Sequence, residues 1–522
     1  MNPFNYTEFL LRLLPHAILI VGALIVLFWD QASVPRSALS ARSTRALVLG
    51  LVTVVLAVIV LLRQSEFVVA YGGMLQLNDF SRVVQTGLLI LTAATLLIAA
   101  PDKFTPHIGE YVALILMAAV GLILLAGTAE LLTAFIALEL TSLSLYLLTA
   151  FRKDSINSAE AALKYFLFGS VAAAFTLFGI SLIFGLSGST NFYSIAAVLE
   201  RQPLTPLLIV ALVLAAIGFG FKMAAAPLHL WAPDAYQGAP TPSAALIASG
   251  SKLASFVLFL KFFFLAVPTH SGTAAWANAV PGWAIVIAAL SATSMIVGNL
   301  LALAQRNVRR IIAYSAIAHT GYALVALLAQ SENGTASAVY YLFTYGLAVI
   351  GIFGVIGLVE REHGEITFND LRGLSRRAPF VAICLLVFIL SLAGIPPLAG
   401  FFGKFYIFIA ALEVSRAPNV PGLLWIVVLA VAASAVSLYY YLQILKQAFV
   451  VETTEQVPTI PAAPIQKLTL ALLAGAVLLF GCFPNLVLGP LGVRENSSPQ
   501  QLENPAPHQT AAKSTHVFAD LR

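Results

Sequence analysis

Apolar runs of about 20 residues recur along nearly the whole of this sequence, and that feature decides what the chain can become. Wound as a helix at about 1.5 Å per residue, such a run spans the roughly 30 Å hydrocarbon core of a bilayer. Hydrocarbon offers backbone N–H and C=O groups no partner, so each run must satisfy its own. The pattern predicts an all-α polytopic membrane protein. Charged residues are only 10% of the 522, and apolar residues are 60%. Soluble domains carry about 25% charged residues. No polar stretch is long enough to fold alone, so one membrane domain is expected.

Fourteen transmembrane helices are expected, over residues 10–29, 46–62, 83–99, 111–128, 131–150, 163–186, 204–223, 243–266, 283–303, 311–328, 338–359, 380–412, 423–449 and 468–488. The twelfth run is too long for one straight crossing. Pro396 and Pro397, with Gly394 and Gly400, divide it into two half-helices, because proline lacks a donor and clashes with the preceding turn. Loops after odd-numbered runs hold fifteen Lys and Arg, among them Arg36, Lys103, Arg152, Arg309, Arg361 and Lys467. Loops after even-numbered runs hold four, Arg63, Arg82, Arg201 and Arg416. Positive loops stay in the cytoplasm, so both termini are expected outside. The formal charge of +5 sits in these short loops and carries no nucleic-acid signal. Cys384 and Cys482 both fall in apolar runs, in no pattern that would hold zinc or an iron–sulfur cluster. No cleavable leader is expected, since Glu8 and Arg12 flank the first run and no small-residue cleavage site follows. The polar tail 490–522 is expected to be disordered.

The stretch 218–252, GFGFKMAAAPLHLWAPDAYQGAPTPSAALIASGSK, interrupts this pattern. Lys222 ends the seventh run, Pro227 stops the helix, and Lys252 lies in the next apolar run. An ammonium inside a bilayer costs several kcal/mol, so one retained there points to function. A buried amine also gives up its proton more readily than a solvated one. The twelfth run repeats the arrangement, with Lys404 following Pro397. Five runs separate the two breaks, an odd number, so two inverted repeats with broken helices at spans 7 and 12 are expected.

Other titratable groups are weighed against plainer roles. Glu139, in AFIALELTSLSLY, has no adjacent charge, and Lys222 is its expected partner. A structural ion pair without proton traffic is the plainer alternative. Glu130, at a run boundary, is expected to be solvated. Glu160 and Lys164 share a helix face at i,i+4 spacing; Lys164 is either a relay or an interfacial pair. His319, in AYSAIAHTGY, is suited to bridging two lysine sites. His229 follows the first break and is expected to meet water. Lys261, in FLKFFFL, lies near a run end and is expected to snorkel. The Tyr439–Tyr441 run is expected to pack against lipid or another subunit. Gly218 and Gly220 lie inside an apolar helix and are no nucleotide loop.

GFGFKMAAAPLHLWAPDAYQGAPTP, NLLALAQRNVRRIIAYSAIAHTGY and SLAGIPPLAGFFGKFYIF closely resemble the antiporter-like subunit family of bacterial NADH:quinone oxidoreductase (respiratory complex I), and within it the subunit N group. The resemblance runs from about residue 111 to 441. It implies fourteen helices and two inverted five-helix repeats, here 111–266 and 281–450. A three-helix segment, 1–110, would precede them, and a last transmembrane helix, 467–489, would follow. The resemblance assigns Glu139 and Lys222 to a Glu/Lys pair, Lys252 to the centre of a buried proton pathway and Lys404 to its output half. His319 fits between them, and Lys164 and His229 join at lower weight. Lysine in the eighth run favours subunit N over the paralogous L and M subunits, which usually carry histidine there. The first three runs and the tail depart from the family pattern.

The resemblance implies a proton-translocating membrane-arm subunit with no redox centre of its own. NADH, FMN, iron–sulfur clusters and quinone would be bound by other subunits. Its partners would be other membrane-arm subunits, paralogous antiporter-like ones included, and the lipid bilayer, with no nucleic acid. A bacterial plasma (inner) membrane is expected, ahead of a thylakoid. A cation/proton antiporter subunit and a non-pumping scaffold are the competing classes. Sodium binding would want several oxygen ligands, and carboxylates within the runs are few.

Overall fold

Helices begin in this chain where a short polar side chain stands ready to accept first-turn N–H groups. Ser155, Asn191, Thr205 and Asn307 each accept from a backbone N–H three residues on, which satisfies donors that have no partner within the helix. The computed structural model describes residues 10–33, 39–64, 68–70, 74–99, 105–276, 278–363, 366–413, 422–451 and 459–492.

The first helices are α1 (Leu14–Ser33) and α2 (Leu39–Arg63). A short antiparallel hairpin of β1 (Val68–Ala70) and β2 (Leu75–Leu77) follows, Val68 opposite Leu77. Next are α3 (Asp79–Ala99), α4 (Ile108–Gly127), α5 (Leu131–Thr149), α6 (Ile156–Ser187) and α7 (Phe192–Leu199). Helix α8 (Pro206–Lys222) then stops, and α9 (Ala232–Gly238) starts ten residues later. Helix α10 (Thr241–Ala266), α11 (Trp283–Leu303), α12 (Val308–Leu328) and α13 (Glu332–His363) follow. Short α14 (Leu374–Arg377) leads to α15 (Pro379–Ala393), which stops before α16 (Ala399–Glu413). The chain ends with α17 (Leu424–Phe449), α18 (Pro464–Cys482) and α19 (Asn485–Leu488).

Twelve helices among the described residues are long and apolar enough to cross a membrane, which makes this a multi-pass membrane protein. The two remaining runs contain the shorter apolar helices α8 and α15. Helices α10, α12 and α13 form the centre: the most apolar stretch of α10 is fully buried, against 33% for α6. Around them α11 packs along α12, α6 along α8, and α1 and α5 along α4. The outer faces, such as Leu163, Leu167 and Val171 of α6, are exposed and apolar, as hydrocarbon solvent requires.

Several expectations need correction. Helix α7 and the hairpin were not visible as apolar runs, because each is too short to show a period. Helix α13 starts at Glu332, a turn and a half before its apolar run, and α6 starts at Ile156. Arg309 lies inside α12 and is 3% exposed. Its guanidinium holds Glu360 at 2.5 Å, the Thr241 hydroxyl at 2.6 Å and the Ala239 carbonyl at 2.6 Å. It therefore ties α9, α10 and α13 together and is no solvated loop charge. Arg36, Lys103, Arg416 and the tail 493–522 lie outside the described residues.

Candidate proton-transfer site

Both helix interruptions expose backbone groups, and polar side chains from neighbouring helices take them up. After Lys222 the chain turns through Ala224, whose φ is +55°. The Met223 carbonyl accepts from Thr320 Oγ1 at 2.8 Å, and the Ala226 N–H donates to Ser294 Oγ at 2.8 Å. Trp231 Nε1 donates to the Phe221 carbonyl at 3.1 Å. Irregular backbone inside a membrane needs such partners. In the second interruption Gly394 takes φ +84°, a conformation open to glycine at little cost. The Ala226–Pro227 and Pro396–Pro397 peptide bonds are both cis.

Lys404, on α16, reaches back over the second interruption. Its ammonium donates to the Leu392 and Ala393 carbonyls at 3.1 and 3.2 Å and to Ser434 Oγ at 2.9 Å. Those carbonyls end α15, where the helix carries partial negative charge and lacks internal donors. Lys222 sits at the end of α8 and donates to Ser142 Oγ and, at 3.2 Å, to Tyr146 OH. Lys252 donates to the Ala316 carbonyl at 2.5 Å. It directly follows a π-helical turn, Ile247–Ser251, a distortion frequent at functional sites. The three ammonium groups are 8%, 2% and 5% exposed as residues Lys222, Lys252 and Lys404. Each stands over a tyrosine ring: Lys222 over Tyr146 at 5.3 Å, Lys252 over Tyr345 at 5.4 Å, Lys404 over Tyr322 at 5.1 Å. A ring face attracts a cation without neutralising it.

His319 occupies the space between Lys252 and Lys404. Its Nδ1 faces Tyr341 OH at 2.5 Å and its Nε2 faces Tyr441 OH at 2.9 Å. The imidazole lies 4.7 Å from the Tyr345 ring and 5.7 Å from the Tyr322 ring, centroid to centroid. These are the rings beneath Lys252 and Lys404. Tyr441 OH meets Ser315 Oγ, and Asn299 links Tyr322 OH to Tyr440 OH. A polar band centred on His319 thus lies between Lys252 and Lys404, meeting them through the ring faces of Tyr345 and Tyr322 and not by hydrogen bonds. Lys222 stands apart from it, with its hydrogen-bond partners on α5.

Glu139 and Lys222 do not form the expected contact. Lys222 bonds to Ser142 and Tyr146, while Glu139 lies one turn earlier on α5, partly exposed, close enough for its charge to act on the lysine. Lys164 meets Glu160 at 2.7 Å and also Asp234 at 3.0 Å, and Arg310 meets Asp234 at 2.6 Å. Lys164 is therefore tied to the first interruption through α9, which the i,i+4 pairing alone did not reveal. His229 is 6% exposed and meets the Tyr314 ring edge to face, centroids 6.5 Å apart, so it does not face open water. Lys261 does not snorkel. It is 1% exposed and donates to the Ala126 carbonyl, in the last turn of α4, at 3.2 Å.

Glu130 is the N-cap of α5 and is buried rather than solvated. Its carboxylate accepts from the Leu132 and Thr133 N–H groups at 3.0 and 2.6 Å. Burial works to raise its carboxyl, but hydrogen bonds from Thr190, Thr133 and Leu132 outweigh that and hold it below its ordinary value.

Tyr322, Tyr341, Tyr345 and Tyr441 are the residues sequence reasoning missed. Tyr440 and Tyr441 face inward, and only Tyr439 of that run is exposed, at 61%. The available signal was helical spacing: Tyr322 lies at i+3 from His319, and Tyr341 and Tyr345 lie i,i+4 on α13. Among the described residues no three His, Cys, Asp or Glu side chains gather as a metal site.

Fold and site define a polytopic membrane protein with a row of protonatable side chains through its centre. Residues 128–436 match the family model described as NADH:quinone oxidoreductase/Mrp antiporter, TM. The NADH-quinone oxidoreductase subunit N 2 of Acidobacterium capsulatum is 48% identical over 94% of this chain and 99% of its own length. A chain in the structure of respiratory complex I from Thermus thermophilus with bound aureothin is 33% identical, with a TM-score of 0.73, covering 91% of this chain and 99% of that one. A chain of the Mrp complex from Dietzia sp. DQ12-45-1b is 21% identical over 94% of this chain and 97% of its own, with a TM-score of 0.77, a likeness of fold. The chain belongs to the antiporter-like membrane subunit family of NADH-quinone oxidoreductase, in its subunit N branch.

Proposed function

We propose that this chain is a proton-translocating membrane-arm subunit of NADH:quinone oxidoreductase. The observation that carries this reading is the band from Lys252 through His319 to Lys404, built from hydroxyl, imidazole and ammonium groups. A buried ammonium gives up its proton more readily than a solvated one, and hydroxyl and imidazole groups can relay a proton because each both donates and accepts a hydrogen bond. In this cycle the proton of Lys222, which stands apart from the band, crosses to Lys252, and Glu139 acts on Lys222 through space from the Ser142–Tyr146 side of α5. Weakening that influence releases the Lys222 proton inward, and Lys404 discharges on the other side. Moving one charge against about 100 mV costs about 2.3 kcal/mol. Lys164 and His229 border the first interruption as entry-side groups.

The architecture supports fourteen crossings, with α8 and α9 counted as one broken helix and α15 and α16 as another. Residues 111–266 and 281–450 form two inverted repeats, after the three-helix segment 1–110 and before the helix in 467–489. NADH, FMN, iron–sulfur clusters and quinone are bound by other subunits, and quinone reduction there drives the lysine cycle. Partners are the other membrane-arm subunits, including paralogous antiporter-like ones. The membrane is the bacterial plasma membrane, with both termini outside.

The test is NADH-driven proton pumping in inverted vesicles, comparing Lys222→Ala and Lys404→Ala with the parent after confirming assembly. Collapse of pumping and of coupled quinone reduction supports the pathway. Survival of both in assembled complex makes the chain a scaffold.

A further inference from the structure

We infer that the face between α3, α13 and α18 binds one phospholipid with a zwitterionic, primary-amine headgroup. A cavity of about 880 Å³ lies there, within the range of about 300–1,000 Å³ typical of small-molecule sites. Its walls are apolar, with Val83 and Ile90 of α3, Val339 and Phe343 of α13 and Phe480 of α18. Gly87 lets α13 approach: a Cβ there would lie 3.2 Å from the Phe343 ring.

The cavity follows α3 from Asp79 to Ile90. Eleven residues of helix rise about 16 Å, and half of a bilayer core is about 15 Å. The cavity therefore runs from the helix start, at headgroup level, to the middle of the membrane, the reach of one acyl chain in one leaflet. Ile90 is 43% exposed, so the side of the cavity is open to hydrocarbon and a chain enters laterally. An unfilled apolar void forfeits dispersion contacts, and in a membrane the filler at hand is lipid.

The mouth selects the headgroup. Asp79 and Arg82 stand one turn apart, 2.5 Å from each other, with their side chains 83% and 21% exposed. Asp79 stands in the open, so its side of the pair is screened by water, weakly held and free to exchange partners. A lipid phosphate suits Arg82, and a neighbouring primary ammonium suits Asp79. An anionic headgroup lacks the cation for Asp79, and a quaternary amine lacks the N–H donors. Leu253, the residue after Lys252 in sequence, also lines the cavity.

The assembled complex is placed in vesicles of phosphatidylethanolamine carrying an acyl-chain diazirine, illuminated, and its cross-linked peptides are mapped. Label is expected on Phe343 and Phe480. Arg82→Ala, a change at the rim, should lower it about tenfold, the loss of one charge-assisted hydrogen bond. Val83→Trp, which fills the upper cavity, should do the same. Equal labelling from phosphatidylcholine or phosphatidylglycerol probes overturns the headgroup assignment. Label confined to outer faces such as Leu163 and Leu167, or this face found cross-linked to another subunit, overturns the site.

Discussion

The Lys404 ammonium lies against the last carbonyl of the helix before it, Ala393, at 3.2 Å. The two residues are held together by the glycine between them. Gly394 turns the chain with φ +84°, and a Cβ on it would lie 3.3 Å from Lys404 Nζ. One glycine thus supplies both the turn and the space for the ammonium.

Gly394→Ala should therefore act twice. A left-handed alanine costs about 1–2 kcal/mol, and its methyl group pushes the lysine off the α15 terminus. Thermal stability of the assembled complex should fall by about that amount, and NADH-driven pumping should fall with it. Unchanged pumping in Gly394→Ala would show that the close approach of Lys404 to α15 is not used.

The hydroxyls around His319 make the second prediction. Tyr341 and Tyr441 supply the contacts at its two ring nitrogens. Removing one such bond costs about 0.5–1.5 kcal/mol, which is about two- to tenfold in rate. Tyr341→Phe and Tyr441→Phe should each slow pumping by such a factor, while Tyr439→Phe, on the exposed face, should not. Stopped-flow pH changes in vesicles give the comparison, and equal rates in all three would remove the tyrosines from the pathway.

Glu130 gives a pH dependence. Its carboxyl is held below its ordinary 4.5 by the hydrogen bonds at the start of α5. A depressed acid stabilises the fold fully above the ordinary value, and loses that contribution as pH falls through the lowered one. Glu130→Gln should cost about 0.5–2 kcal/mol at neutral pH, as a lost cap does. Melting curves of the two complexes should converge in acid, below the lowered value. A gap that persists there would mean the charge is not what holds the cap.

Lys222, Lys252, His319 and Lys404 were legible in the sequence because a titratable group in an apolar run has no cheap explanation. The breaks were legible for a similar reason, since Pro227 and the Pro396–Pro397 pair forbid a continuous helix. The tyrosines were not legible. A tyrosine is at home in a core, at a membrane surface or in a proton path, and only packing of α12 against α13 and α17 brings four of them around one imidazole. Asp234 was hidden in a polar segment, where a carboxylate needs no special reason; its meeting with Lys164 and Arg310 spans three helices. The Glu139–Lys222 expectation took the nearest opposite charge for a contact, while Ser142 and Tyr146 of the same helix face stand closer.

Lys261 shows how burial and role separate. It is as buried as Lys252, on the same helix, and a second π-helical turn, Phe262–Ala266, follows it. Burial alone would place it in the proton pathway. Its partner argues otherwise: the Ala126 carbonyl belongs to the last turn of α4, where an ammonium offsets the partial negative charge of the helix end. Among the described residues no side-chain hydroxyl is bonded to Lys261, whose hydrogen bond goes to that backbone carbonyl. The assignment is a structural cap, and it separates two mutants. Lys261→Met should lower complex stability or yield while pumping per assembled complex stays near the parent rate. Lys252→Met should leave assembly intact and abolish pumping. Pumping normalised to assembled complex decides between them, and a loss in Lys261→Met as deep as in Lys252→Met would add Lys261 to the pathway.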